Sequence, residues 1–517
     1  MATVALNSAA GKWIMVSTIL ASAMAFIDAT ALNVVLPALQ RSLKATGADL
    51  FWILNAYLLM LASLILIGGA MGDKLGRKKI FMVGIFIFIT GSAACGLSGS
   101  VLTLVICRLL QGIGGALMIP GSLSLISSSI NAKERGRAIG TWSAFTTVVT
   151  MGGPILGGAL ADAGLWRYIF FINVPFGVAA LLMLAFKVTE IKDQDNKQSL
   201  DFAGAITIAL GLALITFGFL RMPAVGLVNI QSYGSVVAGT VFLVIFIIIE
   251  ITSTNPMMPL KLFSNSTFSG ANLLTFFLYA GLGAGMLFLS LNLVQIQGYS
   301  QLQSGLTFLP FTVLMITIAR FAGSLADKHG PRLFLVLGPA IAGAGLLILS
   351  FVKQTGGPAD YWTTFFPGVL VLGLGMSFTV APLTAAVMAS VSDHYSGTAS
   401  GINNAMTRIS GVFANAIFGA LAVLFFSGAL QSQIKTVPLN TKDKQLVMQQ
   451  VTDLGNAKVP ANIAVQDKPV IEKAYHEGFI NAYANIMRIS AGLGFLGALM
   501  ALIFIRNKTV NKQPATA

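Results

Sequence analysis

Apolar runs of about twenty residues follow one another from residue 13 to residue 505, and they decide what this chain can become. The hydrocarbon core of a bilayer takes about 20 apolar residues per helix. About fourteen such runs can be read off, the first over 13–36 and the last over 479–505. Only 10% of the residues are charged, against roughly 25% in a soluble domain, too few to cover a surface facing water. The expectation is an all-α polytopic membrane protein.

The first run is too long for the core of a signal peptide, and no small-residue cleavage site follows it, so it is read as a span. The net charge of +14 would suggest nucleic acid in a soluble protein. Here Lys and Arg fall in short loops between apolar runs, where they orient the chain and meet anionic headgroups, so nucleic acid is discarded as a partner. MGDKLGRKK, NAKERGR, KVTEIKDQDNKQ, ADKHGPR and the tail RNKTVNK lie on one side of the membrane, and the cation-poor SGS, ADAGLWR and QIQGYSQLQ on the other. The positive-inside rule then puts both termini in the cytoplasm. Residues 429–478 form a long polar loop with six Lys against five Asp and Glu, expected to be external and solvated.

GGAMGDKLGRKK joins the second and third runs, and GSLADKHGPR joins the tenth and eleventh. Gly69, Asp73, Lys74, Gly76 and Arg77 of the first copy answer to Gly323, Asp327, Lys328, Gly330 and Arg332 of the second. Setting aside runs seven and eight makes the two loops equivalent within two six-helix halves. The expected domains are 1–190, an inserted helix pair over 191–255, and 256–517 with the loop 429–478. Repeats of this kind place a substrate site between the halves near the bilayer midplane.

These motifs together resemble the major facilitator superfamily, and within it the fourteen-helix drug:proton antiporters. The resemblance covers nearly the whole chain. It rests on Asp28, Thr30, Asn33 and Pro37 in the first run, the GxxxDKxGRKK loop, Arg108, Gln111 and Gly112 in the fourth run, GGPILGG in the fifth, and WRYIFFINVPFG leading into the sixth. The second loop copy departs from the pattern at His329 and Pro331. The resemblance implies a fold of two six-helix bundles with two extra central helices, fourteen in all. It also implies that Gly153, Pro154, Gly157 and Gly158 form a motif associated with antiport, and that Gly69, Asp73, Gly76, Arg77 and Asp327 form a conformational gate.

Asp28 stands out as chemistry. An acid at the centre of a membrane helix costs about 2.5–3.5 kcal/mol, and such residues face a cavity and mark a pathway. Asp28 is a proton or cation site, or one half of a structural ion pair. At about 1.5 Å per residue, Asp28 and Arg108 come out at nearly the same depth, which makes Arg108 its candidate partner in proton coupling or in helix pairing. Gln111 shares the face of Arg108 and can bridge the pair. Asn33, Asn55, Tyr57, Asn272, Tyr279, Asn292, Gln295, Asn403, Asn404 and Arg408 are further candidates for the cavity wall.

Arg320 near an inner helix end and Arg488 are read as structural, and Glu250 as an acid placed cheaply at the cytoplasmic end of its helix. Cys95 and Cys107 are read as packing residues, and His329, His394 and His476 fall in loops with no metal spacing.

No GxxxxGK[ST] loop for ATP is present, and no nucleophile, base and orienting residue occur together. The chain is therefore not read as an enzyme. No cofactor is expected, and the energy source is the proton gradient. The preferred reading is a proton-coupled exporter of amphipathic organic compounds in a bacterial cytoplasmic (inner) membrane. With Asp28 the one clear deep acid, neutral, monovalent cationic or zwitterionic lipophilic substrates are favoured. A dedicated exporter of one metabolite, such as a siderophore or a lipid, and a non-transporting receptor or scaffold are the rivals. The partners are small lipophilic substrates, protons and membrane lipids, with a periplasmic adaptor as an optional addition.

Overall fold

The computed structural model describes residues 4–188, 201–226, 228–391, 395–435, 437 and 439–506. The side chains of Asp73, Arg320 and Asp327, all of His394, and the cationic stretches over 189–198 and 507–512 lie outside the described residues. Seventeen α-helices follow in chain order. The first seven are α1 Ala9–Leu43, α2 Gly47–Leu75, α3 Arg77–Leu97, α4 Val101–Ser129, α5 Ala132–Asp162, α6 Tyr168–Phe171 and α7 Asn173–Lys187. Two more, α8 Phe202–Val225 and α9 Ile230–Thr252, stand between these and the rest. Then come α10 Ser266–Gln295, α11 Gln301–Leu306, α12 Leu309–His329, α13 Pro331–Leu349, α14 Phe365–Ala389, α15 Ser396–Ile434, α16 Thr441–Gln449 and α17 Lys468–Phe504.

Among the described residues, 13 helices are long and apolar enough to cross a membrane. The fifth run, which carries GGPILGG, lies inside the 31-residue α5, whose apolar stretch Val148–Asp162 is shorter than the others. Hydrocarbon cannot satisfy a backbone group, so each run closes its own hydrogen bonds as a helix. The helix starts are marked by side-chain caps: Thr46 with Asp49 on α2, Ser100 with Thr103 on α4, and Ser300 with Gln303 on α11. The run expected at 304–326 is broken into α11 and α12, because Pro310 in the first turn of α12 has no N–H to continue the ladder.

The repeated loop behaves alike in both copies. Gly76 (φ 111°) is the one residue between α2 and α3, and Gly330 (φ 86°) the one residue between α12 and α13. Reversal in a single residue needs this backbone conformation, which side chains with a Cβ rarely adopt.

The end of the bundle that carries residues 429–478 is the outer end in the orientation expected from loop charge. That segment is not the solvated loop its polarity suggested. It extends α15 to Ile434, forms α16 and a 3₁₀ turn over Gln450–Asn456, and buries Val447, Val451, Leu454 and Ile463. Its scattered apolar residues pack down, while Lys435, Lys442, Lys458 and Glu472 stay exposed. The pair α8 and α9 packs through glycines: a Cβ on Gly211 would meet the Leu243 side chain at 2.7 Å, and one on Gly218 the Ser232 carbonyl at 2.7 Å. On its other side α8 lies against both α2 and α15, with Ile208 and Leu212 joining Leu59, Ala62 and Val412 in one buried cluster.

Candidate functional site

Asp28 lies on α1 with no exposed surface, and Arg108 on α4 is 1% exposed. Arg108 Nη1 donates to Asp28 Oδ2 at 2.6 Å, and Gln111 Nε2 donates to Asp28 Oδ1 at 3.0 Å. Arg108 Nη1 also donates to Gln111 Oε1 at 2.8 Å, closing a three-membered ring of side chains. The three-residue spacing of Arg108 and Gln111 puts both on one helix face, as a shared contact with α1 requires. The guanidinium makes two further contacts. Nε donates to the Ile53 carbonyl at 3.3 Å, and the Tyr57 ring lies 4.5 Å from the guanidinium carbon. A buried ion pair loses much of its hydration, so it holds only when such supplementary contacts satisfy both partners.

One member of this network escaped the sequence reading. The Cys95 thiol on α3 donates to Gln111 Oε1 at 3.7 Å, so a residue read as packing holds the amide that holds the acid. Nothing in the sequence distinguishes Cys95 from Cys107, which bears no such contact.

The other cavity candidates separate into distinct surroundings. Asn403 on α15 donates to Asn272 Oδ1 at 3.2 Å and to Thr275 Oγ1 at 2.8 Å, so Asn403 and Asn272 tie α15 to α10 rather than facing open space. Asn292 is fully buried against Tyr483, and Asn55 is 1% exposed with both amide atoms unpartnered. Gln295 belongs to the outer end: its Nε2 donates to Gln40 Oε1 at 2.9 Å, as does Asn456 Nδ2 at 2.8 Å, while Gln40 Nε2 donates to the Asp453 carbonyl at 3.1 Å. Asn33 lies nearby, its carbonyl accepting from Ser290 Oγ at 3.3 Å. Asn404 is exposed, Tyr57 is buried, and Tyr279 and Arg408 are half-buried.

GGPILGG places its small residues against two different helices. On α5, Gly153 and Gly157 face Thr30 and Ala31 of α1, while Gly158 faces the Gln301 carbonyl of α11. Gly305 of α11 approaches the Pro154 carbonyl in return, too closely for any side chain larger than hydrogen. One turn further on, Asp162 accepts from the backbone N–H of Gln301 at 2.8 Å and of Leu302 at 2.9 Å. Of the gate residues, Gly69 lies beside Pro120, and Arg77 Nη1 donates to the Ser124 carbonyl at 3.4 Å.

Glu250 needs a correction. Its place at a helix end suggested an exposed acid, yet it is 3% exposed, with Oε2 accepting from Met258 N at 2.9 Å and Oε1 beside Asp201. The segment after α9 folds back over it, which no local pattern announces. Arg488 is exposed and donates to Asn485 Oδ1 at 3.3 Å.

Comparison with known proteins agrees with this architecture. The chain is 28% identical over 493 residues to the tetracenomycin C resistance and export protein of Streptomyces glaucescens, covering 95% of this chain and 91% of that one. It is 29% identical over 448 residues to the multidrug resistance protein Stp of Mycobacterium tuberculosis, covering 86% and 82%. In fold it is similar to a bacterial homolog of the human lysosomal transporter Spinster, solved inward-facing and unoccupied, with a TM-score of 0.66 at 18% identity over 96% of this chain and 98% of that one. The family model described as Major Facilitator Superfamily matches residues 18–415. The chain belongs to the Major Facilitator Superfamily of multi-pass membrane transporters.

Proposed function

We propose that this protein exports amphipathic organic compounds from a bacterial cytoplasm in exchange for protons, by alternating access. One observation carries the reading. A carboxylate sealed from water is held by one guanidinium and one amide between α1 and α4, where a proton arriving on either Asp28 oxygen removes its charge and loosens it from Arg108 and Gln111. A buried charge pair that serves packing alone can be replaced by apolar residues at little or no cost, whereas an acid that must change charge cannot.

The resistance and export named for the relatives supports the outward direction and the organic substrate. In this reading α5 counts as a fourteenth span, both termini lie in the cytoplasm, and α8 and α9 stand between two six-helix bundles. Asp73, Arg77 and Asp327 gate the inner side, and the α5–α11 glycine contact seals the outer side against proton leak. Each charge moved across the membrane is worth about 2.3 kcal/mol per 100 mV, enough for modest coupling to sustain a gradient of substrate.

The test is transport in proteoliposomes with an imposed pH gradient, with ethidium and a panel of amphipathic dyes as probes. Asp28→Asn is expected to abolish uphill movement while leaving downhill exchange measurable. Uphill export at the wild-type rate in that variant would remove Asp28 from coupling. Movement of one endogenous metabolite and of no dye would favour a dedicated exporter.

A further inference from the structure

Arg408 differs from the other deep cation. Arg108 is bonded on several sides, whereas Arg408, among the described residues, has no hydrogen bond, no ion pair and no aromatic ring beneath it, and it keeps part of its surface open. Its depth follows from the antiparallel contact of α15 with α2, where Gly419 meets Phe51, Gly411 meets Leu58 and Gly401 meets Leu66. That register sets Arg408 level with about residue 61 of α2. It lies about eight residues, or roughly 12 Å, inward of Ile53, whose carbonyl marks the level of the Asp28 pair.

No described carboxylate serves Arg408 at that level. Asp28 is bonded to Arg108 and Gln111. Asp49 and Asp162 belong to the outer ends of α2 and α5. Glu134 accepts from Leu6 N at the inner end of α5, and Glu250 with Asp201 closes the inner ends of α9 and α8. Asp73 sits about twelve residues further inward along α2, roughly 18 Å away by helix rise.

The surroundings of Arg408 are those of an acceptor for an aromatic acid. By the same register Tyr57 of α2 lies about one turn outward of Arg408, and the hydroxyls of Tyr57 and of Tyr279 on α10 make no hydrogen bond among the described residues. Phe276 and Phe413 stack edge-to-face at 5.9 Å on the same two helices, α10 and α15. One turn outward from Tyr279, Gly283 opens onto space, with nothing within 4 Å of where a Cβ would stand. The Tyr57 ring in turn covers Arg108.

We propose that Arg408 anchors an acidic group on the substrate, so that the cavity selects amphipathic organic acids, carboxylates above all, over the neutral and cationic compounds that the single deep acid suggested. An unpaired guanidinium inside a membrane protein is costly, and a carboxylate brought by the substrate supplies the missing partner through charge-assisted hydrogen bonds. The proposal rests on the exporter reading and names its substrate class. Exchange of a monoanion outward for a proton inward moves negative charge out and positive charge in, so a membrane potential negative inside drives both steps.

Equilibrium binding to purified protein in detergent, with no gradient, tests it apart from transport. The probes are dansylglycine, its methyl ester and ethidium, followed by fluorescence. Dansylglycine is expected to bind wild type at least about tenfold tighter than the ester, as one charge-assisted hydrogen bond provides. Arg408→Gln is expected to erase that preference while keeping ester affinity within about twofold, and Arg408→Lys to retain part of it. Equal binding of acid and ester by wild type, absent binding of dansylglycine, or a preference surviving in Arg408→Gln would each overturn the assignment. Should Arg408→Gln not fold, a preference weakened but still present in Arg408→Lys supports the guanidinium as anchor, and a preference undiminished in that variant, or ester binding tighter than acid in wild type, refutes it. Failure of the exporter reading is separate: no probe moves under a pH gradient although the binding preference stands.

Discussion

The two halves of the chain carry opposite kinds of buried polarity. The N-terminal half closes a carboxylate, a guanidinium and an amide into a ring with every charge answered. The C-terminal half ties α10 to α15 with neutral groups, Asn272, Thr275 and Asn403, and leaves the deep cation Arg408 unanswered among the described residues. A closed ring can respond only when a proton changes its charge, whereas an open cation responds to whatever anion arrives. In the proposed cycle the contrast divides the labour, with proton handling on one side and substrate recognition on the other.

Three substitutions probe that contrast, from large effect to small. Arg108→Gln leaves Asp28 buried without its cation and should destabilise the N-terminal half by about 3–5 kcal/mol. It should be read as a fall in detergent melting temperature that Asp28→Asn, added to it, partly reverses. An Arg108→Gln protein as stable as wild type would mean that the ring is not a paired charge site. Asn403→Ala removes two hydrogen bonds and strands the groups on α10, a loss of about 1–3 kcal/mol. Because no charge is involved, the pH dependence of dye export should keep its midpoint, and a displaced midpoint would break the division between halves. Lys473→Ala opens the exposed Lys473–Glu477 pair at 3.7 Å on α17, and its effect should stay within about 0.5 kcal/mol. That variant calibrates how much of the Arg108 effect comes from burial rather than from ion pairing itself.

The sequence made the charged half far more legible than the neutral one. Asp28 and Arg108 announce themselves because a charge in an apolar run is rare, and helix rise alone brings them level. Gln111 follows from its spacing. The repeated loops were equally plain, since Gly76 and Gly330 each permit a one-residue reversal.

The neutral contacts depend on how each helix is rotated about its axis, and in lipid an apolar face points either inward or outward without penalty. Hence Asn403 turning to α10, Cys95 reaching Gln111 and the lack of a partner for Arg408 among the described residues had no sequence signal. The burial of Glu250 and the packing of residues 429–478 depend on chain segments folding back over them. Local periodicity carries no information about such contacts.

The latch of Gln40, Gln295 and Asn456 at the outer end has a consequence for the protein's working conditions. These are uncharged amides, and dissolved ions weaken attraction between charges while leaving amide contacts nearly untouched. A change from dilute to concentrated salt therefore alters little in how firmly these three side chains hold together. What opens them is water competing for the same hydrogen bonds, so the latch responds to hydration and not to salinity.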